Sequence, residues 1–260
     1  MAKSSRSIIF RADDAGVNPS ASKAIFHCLQ EGMVRNVGIM VPPAGNAEAV
    51  AMFRDLPDGA VLGLHATITS EWDGQRWGPV LGAEAVPSLV GPDGTFHPST
   101  AIVKDHAKPE EVEREVRAQL ERVLEWGFQP RYLDTHMVFT WIPGMSEAMA
   151  LICADHDLVF ANSGNFQGLP KPAEPAPTSS RDKLMARIDA ASAPGTYVYV
   201  SHPSYDGADT KGMFKKGGSQ WEAILGNRKA EAEMLCDPAV IDEVRQRDIQ
   251  SLTYVEASAA

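Results

Sequence analysis

Cysteine is scarce in this 260-residue chain: Cys28, Cys153 and Cys236 lie far apart, with no C-x-x-C spacing. An odd, scattered set excludes a disulfide scaffold and a Cys-based zinc site, and reads as small buried apolar side chains. Long apolar runs are missing too. Ile8-Ile9-Phe10 stops at Arg11, too short for a secretory leader, and no segment reaches the roughly 20 apolar residues of a membrane span. Positive charge is in deficit, with 24 Lys and Arg against 34 Asp and Glu, a net charge of −10. That balance argues against nucleic acid or a membrane as partner. No glycine-rich phosphate-binding motif follows the first apolar run, so the dinucleotide and P-loop readings lose their support. There is no fixed-period repeat. A cytoplasmic protein that handles a small molecule is the expectation.

What is present suits a packed α/β domain. Apolar residues make up 44% of the chain, enough for a sizeable core. Short β-branched runs at 7–12, 36–41, 60–65, 131–136, 158–161, 196–201 and 250–255 predict strands. Helices are expected over 20–31, 44–54, 109–126, 144–155, 181–191 and 227–247, the last broken at Pro238. The clearest is 109–126, where Val112, Val116, Leu120, Val123 and Leu124 share one face behind Pro109 and two glutamates. Alternating strands and helices mean parallel β/α units, in an open doubly wound sheet or a barrel. Residues 1–260 read as one domain with loop insertions at about 66–108 and 204–220. Residues 170–177 hold four prolines and should be stiff and extended.

Polar residues gather at the ends of the expected strands. The first runs into Asp13-Asp14, the third into His65, the fourth into Asp134-Thr135-His136, and the sixth into His202. Taken singly, an aspartate caps a helix or turn and a histidine sits in a core. In a parallel β/α fold, however, all carboxyl ends of the strands share one face, where active sites are built. One aspartate and two histidines suit Zn, Fe, Co or Mn, a second aspartate could take a proton from water, and His202 could give one to a leaving group. That inventory fits metal-assisted hydrolysis. Other metal hydrolases on such a barrel, acting on phosphoesters or non-sugar amides, would carry the same set. A catalytically silent metal- or sugar-binding protein is a further alternative, and the intact Asp13, Asp14 and His202 count against it, because binding alone needs no base or acid.

At these residues the chain resembles the YdjC-like carbohydrate (chitooligosaccharide) deacetylase family. Arg11-Ala12-Asp13-Asp14-Ala15-Gly16 is similar to that family's Asn-Ala-Asp-Asp-Phe-Gly, and Gly63-Leu64-His65-Ala66-Thr67-Ile68-Thr69 to its Gly-Leu-His-Leu-Thr-Leu-Thr. Ser88-Leu89, Asp93-Gly94-Thr95-Phe96, Asp134-Thr135-His136 and Ser201-His202-Pro203-Ser204 follow in the family's order. The resemblance implies an α/β fold, a distorted (β/α) barrel of about seven parallel strands with surrounding helices, and hydrolysis of an N-acetyl group on an amino sugar or short N-acetylated oligosaccharide. It implies one divalent metal ion (Zn, Mg, Mn or Co) on Asp14, His65 and His136, with Asp13 as general base and His202 as general acid. It also implies a homodimer. Arg11, Trp72, Trp77, Asp134 and Trp141 are candidates for contact with the sugar. Two departures stand out. Arg11 replaces Asn beside the aspartate pair, and contact with Asp13 would make that carboxylate a weaker base. Met137-Val138-Phe139 is apolar where many members have further histidines.

Overall fold

The computed structural model describes residues 6–43, 50–172, 174, 177–247 and 249–259. Eight strands form one all-parallel sheet: β1 Arg6–Ala15, β2 Asn36–Ile39, β3 Val61–Ala66, β4 Tyr132–Thr135, β5 Val159–Phe160, β6 Gln167–Gly168, β7 Gly195–Ser201 and β8 Ile249–Ser251. Their order is β5-β4-β3-β2-β1-β7-β6. Strands one to seven therefore follow one another around a curled sheet in sequence order, with the seam between β5 and β6. This is a distorted α/β barrel. β8 pairs with Arg6–Ile8 of β1, and β2 pairs with the same strand from Arg11 onward, so the two share one edge of β1.

Among the described residues the helices are α1 Pro19–Gln30, α2 Thr100–His106, α3 Pro109–Glu125, α4 Met145–Asp155, α5 Ser180–Ala190, α6 Trp221–Cys236, α7 Pro238–Gln246 and α8 Tyr254–Ser258. None is long and apolar enough to cross a membrane. The break at Pro238 is where the sequence puts it, but α6 starts at Trp221, earlier than expected. Of the helix expected over 44–54, residues 44–49 lie outside those described, and Ala51–Arg54 is a 3-10 turn. Of the Pro-rich 170–177 segment, residues 173, 175 and 176 lie outside them as well.

The strand expected over 250–255 is corrected. β8 ends at Ser251, and Tyr254 opens a helix. The cause is a capping box: the Thr253 hydroxyl accepts from Glu256 N, and the Glu256 carboxylate accepts from Thr253 N. That reciprocal cap outweighs the β-branched character of the run.

Strand alternation sorts the core into two clusters. Ile8, Phe10, Ala12, Leu62 and Leu64 face the helices in the larger one. Ile9, Tyr132, Ala161, Val198 and Tyr254 fill the inside of the curl. Register then stacks polar residues above that apolar floor: Ile9 pairs with Val198 and Gly63 with Tyr132, then Arg11 with Val200 and His65 with Asp134. Gly63 is required by Tyr132, whose ring would lie 2.5 Å from a Cβ at that position.

The 66–108 segment is tied down by a polar stripe on α3. Glu111 accepts from Ser88 N, Glu115 from Val80 N and Leu81 N, and Gln119 bonds both the N–H and the carbonyl of Thr67. It also meets the 204–220 segment: Asp73 N–H donates to the Phe214 carbonyl, and Lys216 N–H to the Asp73 carboxylate. The two insertions thus clasp each other beside the carboxyl ends of the strands.

Candidate active site

The aspartate pair is aimed by a bulge. The β1–β2 register slips between Ala12 and Ala15, and Asp14 adopts φ 69°, the left-handed region. In a regular strand Asp13 and Asp14 would face opposite sides. Here both reach the cavity above the barrel floor. A left-handed non-glycine residue carries strain, and such strain clusters at functional sites. Gly38 on β2 makes the room, since a Cβ there would lie 3.1 Å from Asp13 Oδ1.

His65 and His136 converge on Asp14. Its Oδ1 is 3.6 Å from His65 Nε2 and 3.5 Å from His136 Nδ1, and those two nitrogens are 3.2 Å apart. The outer nitrogens are engaged by carboxylates: His65 Nδ1 with Asp134 Oδ2 at 2.7 Å, and His136 Nε2 with Glu71 Oε2 at 3.0 Å. In the neutral form of each ring, with those outer nitrogens carrying the protons, both inner nitrogens turn lone pairs toward Asp14 Oδ1, a buried oxygen without a hydrogen-bond partner. Three acceptors aimed at one point fit a cation, and the carboxylate behind each imidazole is the usual outer support of a metal-binding histidine.

Charge points the same way. Asp13, Asp14, Glu71 and Asp134 are four buried carboxylates, balanced by two buried guanidiniums, Arg11 and Arg228. With both imidazoles neutral, as ligation of a metal requires, two negative charges remain, and a divalent cation would take the place of the two imidazole protons. Asp13, His65 and Asp134 form a second acidic group. Arg11 already serves it, with Nη2 at 2.8 Å from Asp13 and 3.2 Å from Asp134, and Nη1 on the Tyr254 hydroxyl. Arg11 and Asp13 therefore share a face, and the cation that replaces the family's Asn touches the expected base.

The titrations follow from these contacts. Burial would raise the Asp14 carboxyl, but Arg228, with Nη2 at 2.7 Å, and the two imidazoles hold it well below the usual range. Burial opposes a charged His65, yet Asp134 and Asp13 push it well above its ordinary value. His136, also against burial, is pushed up by Glu71 and Asp14 to about 9. Despite burial, His136 lowers Glu71, and Arg11 and His65 lower Asp134.

Arg11, Asp13, Asp14, His65, Glu71, His136 and Arg228 line a cavity of about 560 Å³, with Asp134 behind His65. His202 stands in its wall at the end of β7, its backbone N–H donating to the Glu231 carboxylate. β7 flanks β1 on one side, while β2, β3 and β4 extend from the other. Trp72 is in the wall, with Lys215 Nζ 5.4 Å from its ring centroid. Trp77 is buried behind His136, its indole N–H on the Thr69 carbonyl. Trp141 is 54% exposed and does not line the cavity. Sequence reasoning missed Glu71, Arg228 and Glu231. Glu71 and Arg228 bond side chains at the site's centre, but each comes from a segment with no local motif.

The YdjC-like protein family pattern matches residues 7–257. A carbohydrate deacetylase of Geobacillus stearothermophilus is 27% identical over 96% of this chain and 98% of its own length. One from Listeria monocytogenes serotype 4a is 33% identical over 50% of each chain. A solved structure from Enterococcus faecalis V583, named for cellobiose-phosphate cleavage, superposes with a TM-score of 0.80 at 20% identity, covering 97% of this chain and 99% of that one. It shares the fold. With the ordered strand-end motifs and a match along nearly the whole sequence, the chain belongs to the YdjC-like protein family.

Proposed function

We propose that this protein is a metal-dependent hydrolase that removes the N-acetyl group from an amino sugar or a short N-acetylated oligosaccharide. The convergence of Asp14 Oδ1, His65 Nε2 and His136 Nδ1, with Asp13 and His202 in the same cavity, carries the reading. Relatives named carbohydrate deacetylase supply the substrate class. A divalent cation held by those three residues would supply Lewis-acid polarisation of the acetyl carbonyl. Asp134 and Glu71 keep the two imidazoles in the tautomers that leave their inner nitrogens free. Asp13 Oδ1 is buried and unpartnered, while Oδ2 is fixed by Arg11. Its free oxygen takes a proton from the attacking water. His202 returns a proton to the departing amine nitrogen, each transfer being worth roughly 10²–10⁴-fold. Trp72 offers the sugar an apolar face.

The test is acetate release from short N-acetylglucosamine oligomers by metal-stripped protein reloaded in turn with Zn²⁺, Co²⁺, Mn²⁺ and Mg²⁺, with Asp14→Asn as the blank. Metal-dependent acetate that vanishes in the variant supports the reading. Tight metal binding without acetate removes this substrate class and points to other amides or phosphate esters.

A further inference from the structure

Cys28 and Cys236 are 208 residues apart in sequence, yet their sulfurs lie 3.6 Å from each other. Cys28 is in the last turn of α1, and Cys236 ends α6. Both are free thiols. Their approach is set by backbone. Met33 N–H donates to the Leu235 carbonyl at 3.1 Å. Gly32 passes so close that a Cβ there would lie 2.7 Å from the carbonyl oxygens of both Cys28 and Leu235. The helix ends on which the cysteines sit are locked together by their own neighbours, so drawing the sulfurs to bonding distance asks mainly for side-chain rotation.

The two thiols are unequal. Cys28 is fully buried, whereas Cys236 is partly exposed. The contact between them raises Cys28, with burial adding to it, and lowers Cys236. Cys236 is thus the accessible sulfur with more thiolate character, and Cys28 is the protonated partner behind it. Cys153 on α4 is buried, pushed up by that burial to about 12, and has no sulfur partner among the described residues.

We propose that Cys28 and Cys236 form a peroxide-responsive disulfide site, with Cys236 as the attacking sulfur and Cys28 as the resolving one. The Cys236 thiolate attacks one oxygen of hydrogen peroxide. An S–O bond forms, the O–O bond breaks, and the departing hydroxide takes a proton to become water. Cys28 then attacks the sulfur of the resulting sulfenic acid. The S–S bond forms, the S–O bond breaks, and a second water leaves with the Cys28 proton. Two thiols have lost two electrons and two protons to the peroxide, and a dithiol reverses the change. The bond ties α1, which follows the aspartate bulge, to α6, which carries Arg228 and Glu231.

Treating the purified full-length protein with hydrogen peroxide and counting thiols after denaturation tests this. The three free thiols should fall to one, with a Cys28–Cys236 peptide found by non-reducing mass spectrometry and dissolved by dithiothreitol. Closing so long a loop should raise Tm by roughly 5–10 °C in the oxidised form. A sulfenate-trapping dione should label Cys28→Ser at Cys236 and leave Cys236→Ser unlabelled. Three thiols remaining after treatment, or a bond involving Cys153, would overturn the assignment.

Discussion

Replacing Arg228 with methionine should cost stability in a pH-dependent way. The guanidinium sits 2.7 Å from Asp14 Oδ2, and both side chains are more than 90% buried. Methionine keeps most of the length and removes the charge. Breaking a buried ion pair from one side costs about 3–5 kcal/mol, because the remaining charge stays desolvated. Asp14 sharpens the prediction. Its folded value lies well below the ordinary 3.8, with Arg228 the main force against burial. A carboxyl depressed on folding adds stability that is fully present above its unfolded pKa and lost as pH falls through the folded one. The variant lacks most of that contribution at every pH. The gap between wild type and Arg228→Met should therefore be widest near neutrality and narrow as pH drops from about 4 towards 2. Urea unfolding of both proteins in a chelator, so that no cation stands in for the guanidinium, measures it. A gap below about 1 kcal/mol at neutral pH, the level of an exposed pair, would refute the reasoning. So would a gap that does not change with pH.

Asp14→Asn should abolish metal binding by calorimetry, whereas Asp13→Asn should keep it and release acetate roughly 10²–10⁴-fold more slowly. Glu71→Gln should weaken metal affinity about 10–100-fold through His136, read by competition with a chromogenic chelator. His136 sits at about 9 through Glu71 and Asp14. Since a ligating imidazole must give up its proton, metal affinity should fall as pH drops below that value, and calorimetry in buffers of different ionisation heat should record proton release. Gly63→Ala should lower stability by about 1–3 kcal/mol in thermal melts, because the new methyl meets the buried Tyr132 ring.

Much of the barrel was legible because parallel strands buried on both faces leave apolar, β-branched runs that end in polar residues. β1, β3, β4 and β7 were marked in this way, and their terminal Asp14, His65 and His136 do converge. β5 lies within the run expected at 158–161, whereas β6, at two residues, is too short to leave a period. The final strand was overextended because Thr253 and Glu256 cap a helix inside a β-branched run. Arg228 and Glu71 were invisible for a different reason. Each lies in a segment whose sequence satisfies its own local rules, a helix and an irregular loop, and acquires meaning only from an aspartate or histidine brought in by the fold. The buried stripe of Glu111, Glu115 and Gln119 shows the same limit. At helical spacing it looks like a solvated face, and only the loop packed over it makes it interior.

The distances along the chain between the partners of these buried polar contacts have a consequence for what each depends on. Asp14 waits 214 residues for Arg228, and Arg11 waits 243 for Tyr254. β1 is paired along both edges, and its early neighbour, β2, covers only part of one of them; β7 and β8 come from the far end of the sequence. Arg11, on β1 itself, serves Asp13 and Asp134, but Asp14 buried before α6 docks would have no guanidinium and would bear the cost of desolvation. The charge balance of Asp14 is thus set by a helix near the far end of the sequence, so a chain lacking α6 would carry this carboxylate without its guanidinium.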